Sequence, residues 1–106
     1  MVVSRYSNGV WSELEESDQF EIPLHLAASV LNYGQACFEG LKAFSRADGT
    51  LGIFRPEKNA IRMQQSSARL CMPCPEESIF VDACVRAVQL NREFVPPYGT
   101  GASLYV

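Results

Sequence analysis

Arg62 is the residue best suited to hold a ligand in this 106-residue chain. It lies in a stretch that reads as helix, where Asn59, Ser66 and Arg69 stand three, four and seven positions away and share its side. A guanidinium presents a fixed fork of N–H donors that matches a phosphate or a carboxylate, which gives a physical reason to expect an anion nearby; on the residues alone a solvated helix face is the plainer reading, with Arg69 as a structural member. Ile61, Ala68, Leu70 and Met72 are then left to pack. Lys42 and Lys58 are the only lysines. Amine chemistry by the chain alone would have to use one of them, in a desolvated pocket that lowers its pKa. Lys58 falls in the first turn of the expected helix, an exposed place, whereas Lys42 could be partly enclosed on its strand. Glu39 invites an acid or base role, but the sequence offers it no partner and it reads as structural. His25, between Leu24 and Leu26, reads as a hydrogen-bonded structural residue.

Cys71-Met72-Pro73-Cys74 has the spacing of a redox pair or of half a zinc site. Zinc would need a second ligand pair, and His25 is the only histidine, so no metal is expected and two small residues around a proline is the plainer reading. Cys37, Cys71, Cys74 and Cys84 lie among apolar neighbours with no secretory signal before them, which predicts reduced thiols.

The elements that must position Arg62 can be read from turn and helix signals. Asn8-Gly9 predicts a hairpin between Val2–Tyr6 and Val10–Leu14, and Glu13 to Glu21 reads as a solvated loop. Ile22 to Leu26 is extended, since Pro23 disfavours helix in the residue before it. Alternation predicts a strand over Phe38 to Ser45, a turn at Arg46 to Thr50 and a returning strand at Leu51 to Phe54. Pro56 starts a helix, with Glu57 favourable at its N-terminus, running to about Cys71. Pro75-Glu76-Glu77 starts a second, whose apolar side carries Ile79, Phe80, Ala83, Cys84, Ala87, Val88 and Leu90, opposed by Asp82, Arg86, Gln89 and Glu93. Pro96 to Gly101 is a loop, and Ala102 to Val106 begins a strand. The fold class is therefore α+β, a mostly antiparallel sheet with two helices, in one domain over 1–106.

Composition narrows the function classes. The net charge is −3 with 20% charged residues, which excludes a basic face for nucleic acid. No apolar stretch approaches the ~20 residues that span a bilayer, and the first residues lack a signal-peptide pattern. No membrane partner is expected, and the location is expected to be intracellular, in the cytoplasm or an organelle. Hydrophobic residues make up 47% of the chain, which leaves apolar surface for a partner to cover.

The run Tyr33-Gly34-Gln35-Ala36-Cys37-Phe38-Glu39-Gly40-Leu41-Lys42-Ala43-Phe44 is followed by Phe54-Arg55-Pro56-Glu57-Lys58-Asn59-Ala60-Ile61-Arg62-Met63, then by Arg69-Leu70-Cys71-Met72-Pro73 and Ser103-Leu104-Tyr105-Val106. In this order the runs resemble the branched-chain aminotransferases, fold type IV enzymes that use pyridoxal phosphate. The resemblance implies the small N-terminal domain of such an enzyme, a fragment, with the large domain and its cofactor-binding lysine beyond Val106. No catalytic residue is then expected within this chain, and the chain alone is expected to be inactive. Arg62 matches the arginine that grips the cofactor phosphate. Tyr33, Phe38, Gly40 and Tyr105 match substrate positions. By that match Phe38 forms an apolar wall, Gly40 lets substrate approach the backbone, Tyr105 lies where substrate is held, and Tyr33 reaches into the neighbouring subunit of a homodimer. The arginine that follows Tyr105 by two residues in the family would fall at position 107. The implied reaction moves the amino group of leucine, isoleucine or valine to 2-oxoglutarate, so branched-chain amino acids and 2-oxo acids are the implied partners. D-amino acid aminotransferases and aminodeoxychorismate lyases share a shorter Phe-Glu-Gly turn, but Leu31 to Lys42 and Arg69 to Pro73 look more like the branched-chain group. A non-catalytic binding or assembly module is the other alternative.

Overall fold

A computed structural model describes residues 1–106. After β1 (Val2–Val3) the chain turns at Asn8-Gly9, where both residues take positive φ, 52° and 86°, as a two-residue hairpin turn requires. The turn joins β2 (Tyr6–Ser7) to β3 (Val10–Trp11) and sets the Tyr6 and Trp11 rings 5.4 Å apart. The chain then returns along β1 as β4 (Glu15–Glu16), with Val2 opposite Glu16 and Val3 opposite Glu15. This corrects the solvated loop expected over Glu13 to Glu21. Pairing needs only backbone donors and acceptors, so two exposed glutamates can form a strand once the hairpin brings them beside Val2–Val3, and Arg5 holds Glu15 at 2.5 Å.

A short helix, α1 (Ser29–Tyr33), adds to the two that the sequence predicts. It gave no signal because it buries no residue and has no side-chain cap; Gly34, at φ 62°, ends it. Next comes a hairpin of β5 (Lys42–Ser45) and β6 (Leu51–Ile53), whose turn is tied by Asp48 accepting from the Thr50 N–H at 2.9 Å and the Thr50 hydroxyl at 2.6 Å. Two helices follow, α2 (Pro56–Arg69) and α3 (Glu77–Leu90), then a 3-10 turn at Arg92–Phe94 and β7 (Leu104–Tyr105). The sheet order β6-β5-β7 is antiparallel throughout, so the fold is α+β as expected.

The strand expected from Phe38 starts at Lys42 instead. Leu41 and Val106 still exchange both backbone hydrogen bonds, at 3.1 and 2.8 Å, but residues 38–40 leave the sheet and lie along α2. One sheet face carries Ala43, Leu104, Leu51 and Ile53, packed with Val88 and Val95 into the core. By strand alternation Lys42, Phe44 and Tyr105 occupy the opposite face, which is exposed.

The packing side of α2 also differs from expectation. Its buried residues are Ala60 and Ser67, flanked by the half-buried Met63 and Gln64, whereas Ile61, Ala68 and Leu70 are exposed. Positions 60, 63, 64 and 67 form one stripe, and small residues there let the helix sit close to its neighbours. On α3 Cys84 and Val88 are buried as expected, while Leu90 is exposed.

Only seven residues are buried, and the segment from Phe20 through Tyr33 is exposed almost throughout, including Phe20, Ile22, Leu24, Leu26 and Leu31. The radius of gyration, 15.3 Å, exceeds the ~13 Å of a compact chain of this length. The apolar surface anticipated from composition is thus concentrated in this segment. No helix is long and apolar enough to cross a membrane.

Candidate anion-binding site

After a tight turn in which the Ala36 N–H meets the Gly34 carbonyl at 2.8 Å, the segment runs without regular secondary structure, and its alternate side chains reach α2 or the residue that caps it. The Gln35 amide donates to the Leu70 carbonyl at 2.8 Å, Cys37 Sγ lies 3.3 Å from Ser67 Oγ, and Glu39 meets Arg62 and Asn59. The lengths agree. Four steps from 35 to 39 span at most ~13 Å, and eight helical steps from 70 to 62 cover ~12 Å. The segment can therefore stay in register with a helix running the other way. Phe38, at the alternate parity, points away and is 83% exposed.

At the end of this seam Glu39 and Arg62 form a two-pronged pair. Arg62 Nε donates to Oε1 at 2.7 Å and Nη2 to Oε2 at 2.6 Å, and Asn59 Nδ2 donates to Oε2 at 2.8 Å and to the Gly40 carbonyl at 3.2 Å. The two partners differ in environment: the Glu39 side chain is 4% exposed, that of Arg62 65%. The Arg62 hydrogen bonds hold the Glu39 carboxyl below its ordinary pKa; burial pushes the other way, and the Asn59 amide lowers it further. Glu39 in turn raises the pKa of Arg62. Both groups are therefore ionised at neutral pH, and Glu39 is committed to hydrogen bonding rather than to proton transfer.

Gly40 continues the cluster toward the sheet. A side chain there would run into the Tyr105 phenol, so glycine is the residue that lets the tyrosine lie across this backbone. The pairing of Lys42 with Tyr105 places that ring on the open sheet face. Arg62, Glu39, Asn59, Gly40 and Tyr105 are thus one connected group, drawn from α2, the segment after α1 and β7.

Of the residues singled out from sequence, Arg62, Gly40 and Tyr105 are brought together. Tyr33, 87% exposed at the end of α1, and Phe38 are not packed against them. Glu39 and Asn59 were missed as site residues; the signal was there in the alternation of Gln35, Cys37 and Glu39 opposite a polar helix face. His25 is exposed, and its Nδ1 accepts from the Ala27 N–H at 3.0 Å, a local structural bond. Lys42 and Lys58 are both exposed. Cys71 is exposed at the end of α2, and Cys74 is half-buried. The two largest grooves lie elsewhere, one at Met1, Asp18 and Phe94 and one between β6 and α3 at Leu51 and Val85. The cluster is accordingly an open edge at the surface, in which Glu39 is held by hydrogen bonds and the Arg62 guanidinium is exposed.

Three donors of Arg62 remain, since two of its five N–H groups are engaged by Glu39. They sit on an exposed side chain and suit the oxygens of a phosphate or a carboxylate.

No protein-family model matches the chain. Curated relatives do. The chain is 40% identical over 104 residues to a branched-chain-amino-acid aminotransferase of Haemophilus influenzae, spanning 98% of this chain and 30% of that protein. It is 43% identical over 104 residues to the Helicobacter pylori branched-chain-amino-acid aminotransferase, spanning 98% and 31%. It is 51% identical over 85 residues to the chloroplastic branched-chain-amino-acid aminotransferase 5 of Arabidopsis thaliana, spanning 80% and 20%. The chain thus spans less than a third of the length of these relatives. Over the stretch that it spans, the chain is similar to these branched-chain-amino-acid aminotransferases at 40–51% identity.

Proposed function

We propose that this chain is the small domain of a pyridoxal-phosphate-dependent enzyme that moves the amino group of leucine, isoleucine or valine to 2-oxoglutarate. The observation that carries the reading is the Arg62 fork, oriented by a buried carboxylate and left with unpartnered donors beside Gly40 and Tyr105. Pyridoxal phosphate, when bound, supplies the electron sink for moving the amino group. Arg62 holds its phosphate, and the open sheet face with Tyr105 borders the substrate. Phe38 and Tyr33, exposed and apolar in most of their surface, give walls that suit branched side chains once a second domain or a second copy encloses them. Such a pocket discriminates by about 1–3 kcal/mol per methylene, enough to prefer branched aliphatic substrates over shorter ones.

The test is glutamate formation by the full-length protein from leucine and 2-oxoglutarate with pyridoxal phosphate present. Turnover with leucine, isoleucine and valine is the expected result. Turnover of D-alanine in place of the branched L-amino acids would move the protein to another fold type IV activity, and an absence of pyridoxal phosphate binding would overturn the reading.

A further inference from the structure

We propose that Glu39 is a positioning residue for the phosphate, acting only through Arg62; this rests on the reading that Arg62 holds a phosphate. The argument begins with an imbalance. Arg62 is a long side chain at 65% exposure, which by itself would sample many rotamers, while the Glu39 side chain is 4% exposed and is held independently of Arg62 by the Asn59 amide. The buried partner therefore sets the geometry of the exposed one. Glu39 uses both carboxylate oxygens on Nε and Nη2, which fixes the plane of the guanidinium and leaves Nη1 and the outer Nη2 hydrogen for a ligand.

Asn59 makes the arrangement stiffer. Its amide bridges Glu39 Oε2 and the Gly40 carbonyl, so the carboxylate is held to the backbone segment on which Tyr105 rests. Glu39 thus links the anion end of the cluster to its tyrosine end. The negative charge beside Arg62 would on Coulombic grounds repel a phosphate, so orientation and repulsion give opposite signs for the effect of neutralising Glu39. The inference is that orientation wins. An unrestrained arginine must lose its rotamer freedom when the ligand arrives, and a pre-set fork does not.

The experiment uses the full-length protein and a two-by-two set: the parent, Arg62→Ala, Glu39→Gln and the double variant. Affinity is measured by equilibrium dialysis for pyridoxal phosphate and for pyridoxal, which lacks the phosphate. Arg62→Ala should weaken pyridoxal phosphate about ten- to a hundredfold and Glu39→Gln about three- to tenfold, while pyridoxal affinity stays within twofold in each. The double variant should bind no more weakly than Arg62→Ala alone, because Glu39 has nothing left to orient. Glu39→Asp, which keeps the charge and the two-oxygen fork but falls one methylene short of the two nitrogens, should fall between the parent and Glu39→Gln, and it replaces that variant if Glu39→Gln does not fold. Unchanged or tighter binding of pyridoxal phosphate by Glu39→Gln would overturn the inference alone. So would equal losses for pyridoxal, which would show a merely structural role, or losses that add in the double variant. An Arg62→Ala protein that binds like the parent would remove the phosphate reading itself, and this inference with it.

Discussion

Arg62 lies on an exposed helix face, yet its pairing with Glu39 makes its removal consequential for the fold. Truncating it strips a 4%-exposed carboxylate of two of its three side-chain donors. Arg62→Ala should therefore lower the thermal midpoint of the protein, and Glu39→Gln combined with it should recover part of that loss by removing the stranded charge. Differential scanning fluorimetry on the two proteins checks this; equal midpoints would mean that water replaces the lost donors. Acid should act on the same pair. Because the folded-state pKa of Glu39 is depressed, its contribution to stability is present above the ordinary carboxylate pKa of about 4.3 and is lost as pH falls through the lower folded value. Asp48, also depressed through Thr50, acts in the same direction. Urea midpoints should thus fall more steeply below about pH 4 in the parent than in Glu39→Gln. Gly40→Ala is the third residue-scale case. The new methyl displaces the far end of an exposed phenol rather than backbone, so stability should change by only about 0.5 kcal/mol, while, if the proposed function holds, the KM for leucine should rise several-fold as Tyr105 moves.

Among the elements, α2 shows most clearly how far pattern reading goes. Pro56 and the end near residue 70 were legible, because proline at the first turn and the loss of helical signal before Pro73 are local features. Its packing side was not, because the helix has few large apolar residues and its buried stripe is made of Ala60 and Ser67. The helix ends in a Schellman arrangement, with the Met72 N–H on the Ser67 carbonyl at 2.9 Å and the Cys71 N–H on Ala68 at 3.2 Å. Cys71 occupies the left-handed position there, at φ 54°, where glycine is the preferred residue. Cys71→Gly should stabilise the domain by about 0.5–1 kcal/mol, read from the urea midpoint at constant slope. A destabilised variant would mean that the cysteine side chain contributes more than its backbone strain costs.

At the scale of the whole molecule, six buried apolar residues support a surface on which Phe20, Leu26, Tyr33, Phe38 and Tyr98 are all open. Both β6 and β7 are sheet edges, and β7 carries the site tyrosine. Unpaired edges and apolar surface together favour association. The chain of 106 residues should therefore show concentration-dependent mass in sedimentation equilibrium, and a monomer that stays constant across a hundredfold concentration range would count against this. The same chain should show no transamination with pyridoxal phosphate, leucine and 2-oxoglutarate, since Lys42 and Lys58 are exposed and neither lies in an enclosed pocket.

What the sequence alone determined were the features with local causes: the Asn8-Gly9 turn, the Arg46 to Thr50 turn, the start of α2 at Pro56 and of α3 after Pro75, and the polar helix face that carries Arg62. Each depends on φ preferences, a missing N–H or a 3.6-residue period, and so is written within a few neighbouring residues. What only the tertiary structure decided were relations between distant segments. Glu15–Glu16 became a strand because a hairpin returned them to Val2–Val3, and α1 formed without a capping or burial signal. Glu39 acquired Arg62, 23 positions away, and Gly40 acquired Tyr105 through the pairing of β5 with β7. The residue types were visible in advance, but a carboxylate becomes a positioning group only when packing removes its water and leaves one cation in reach.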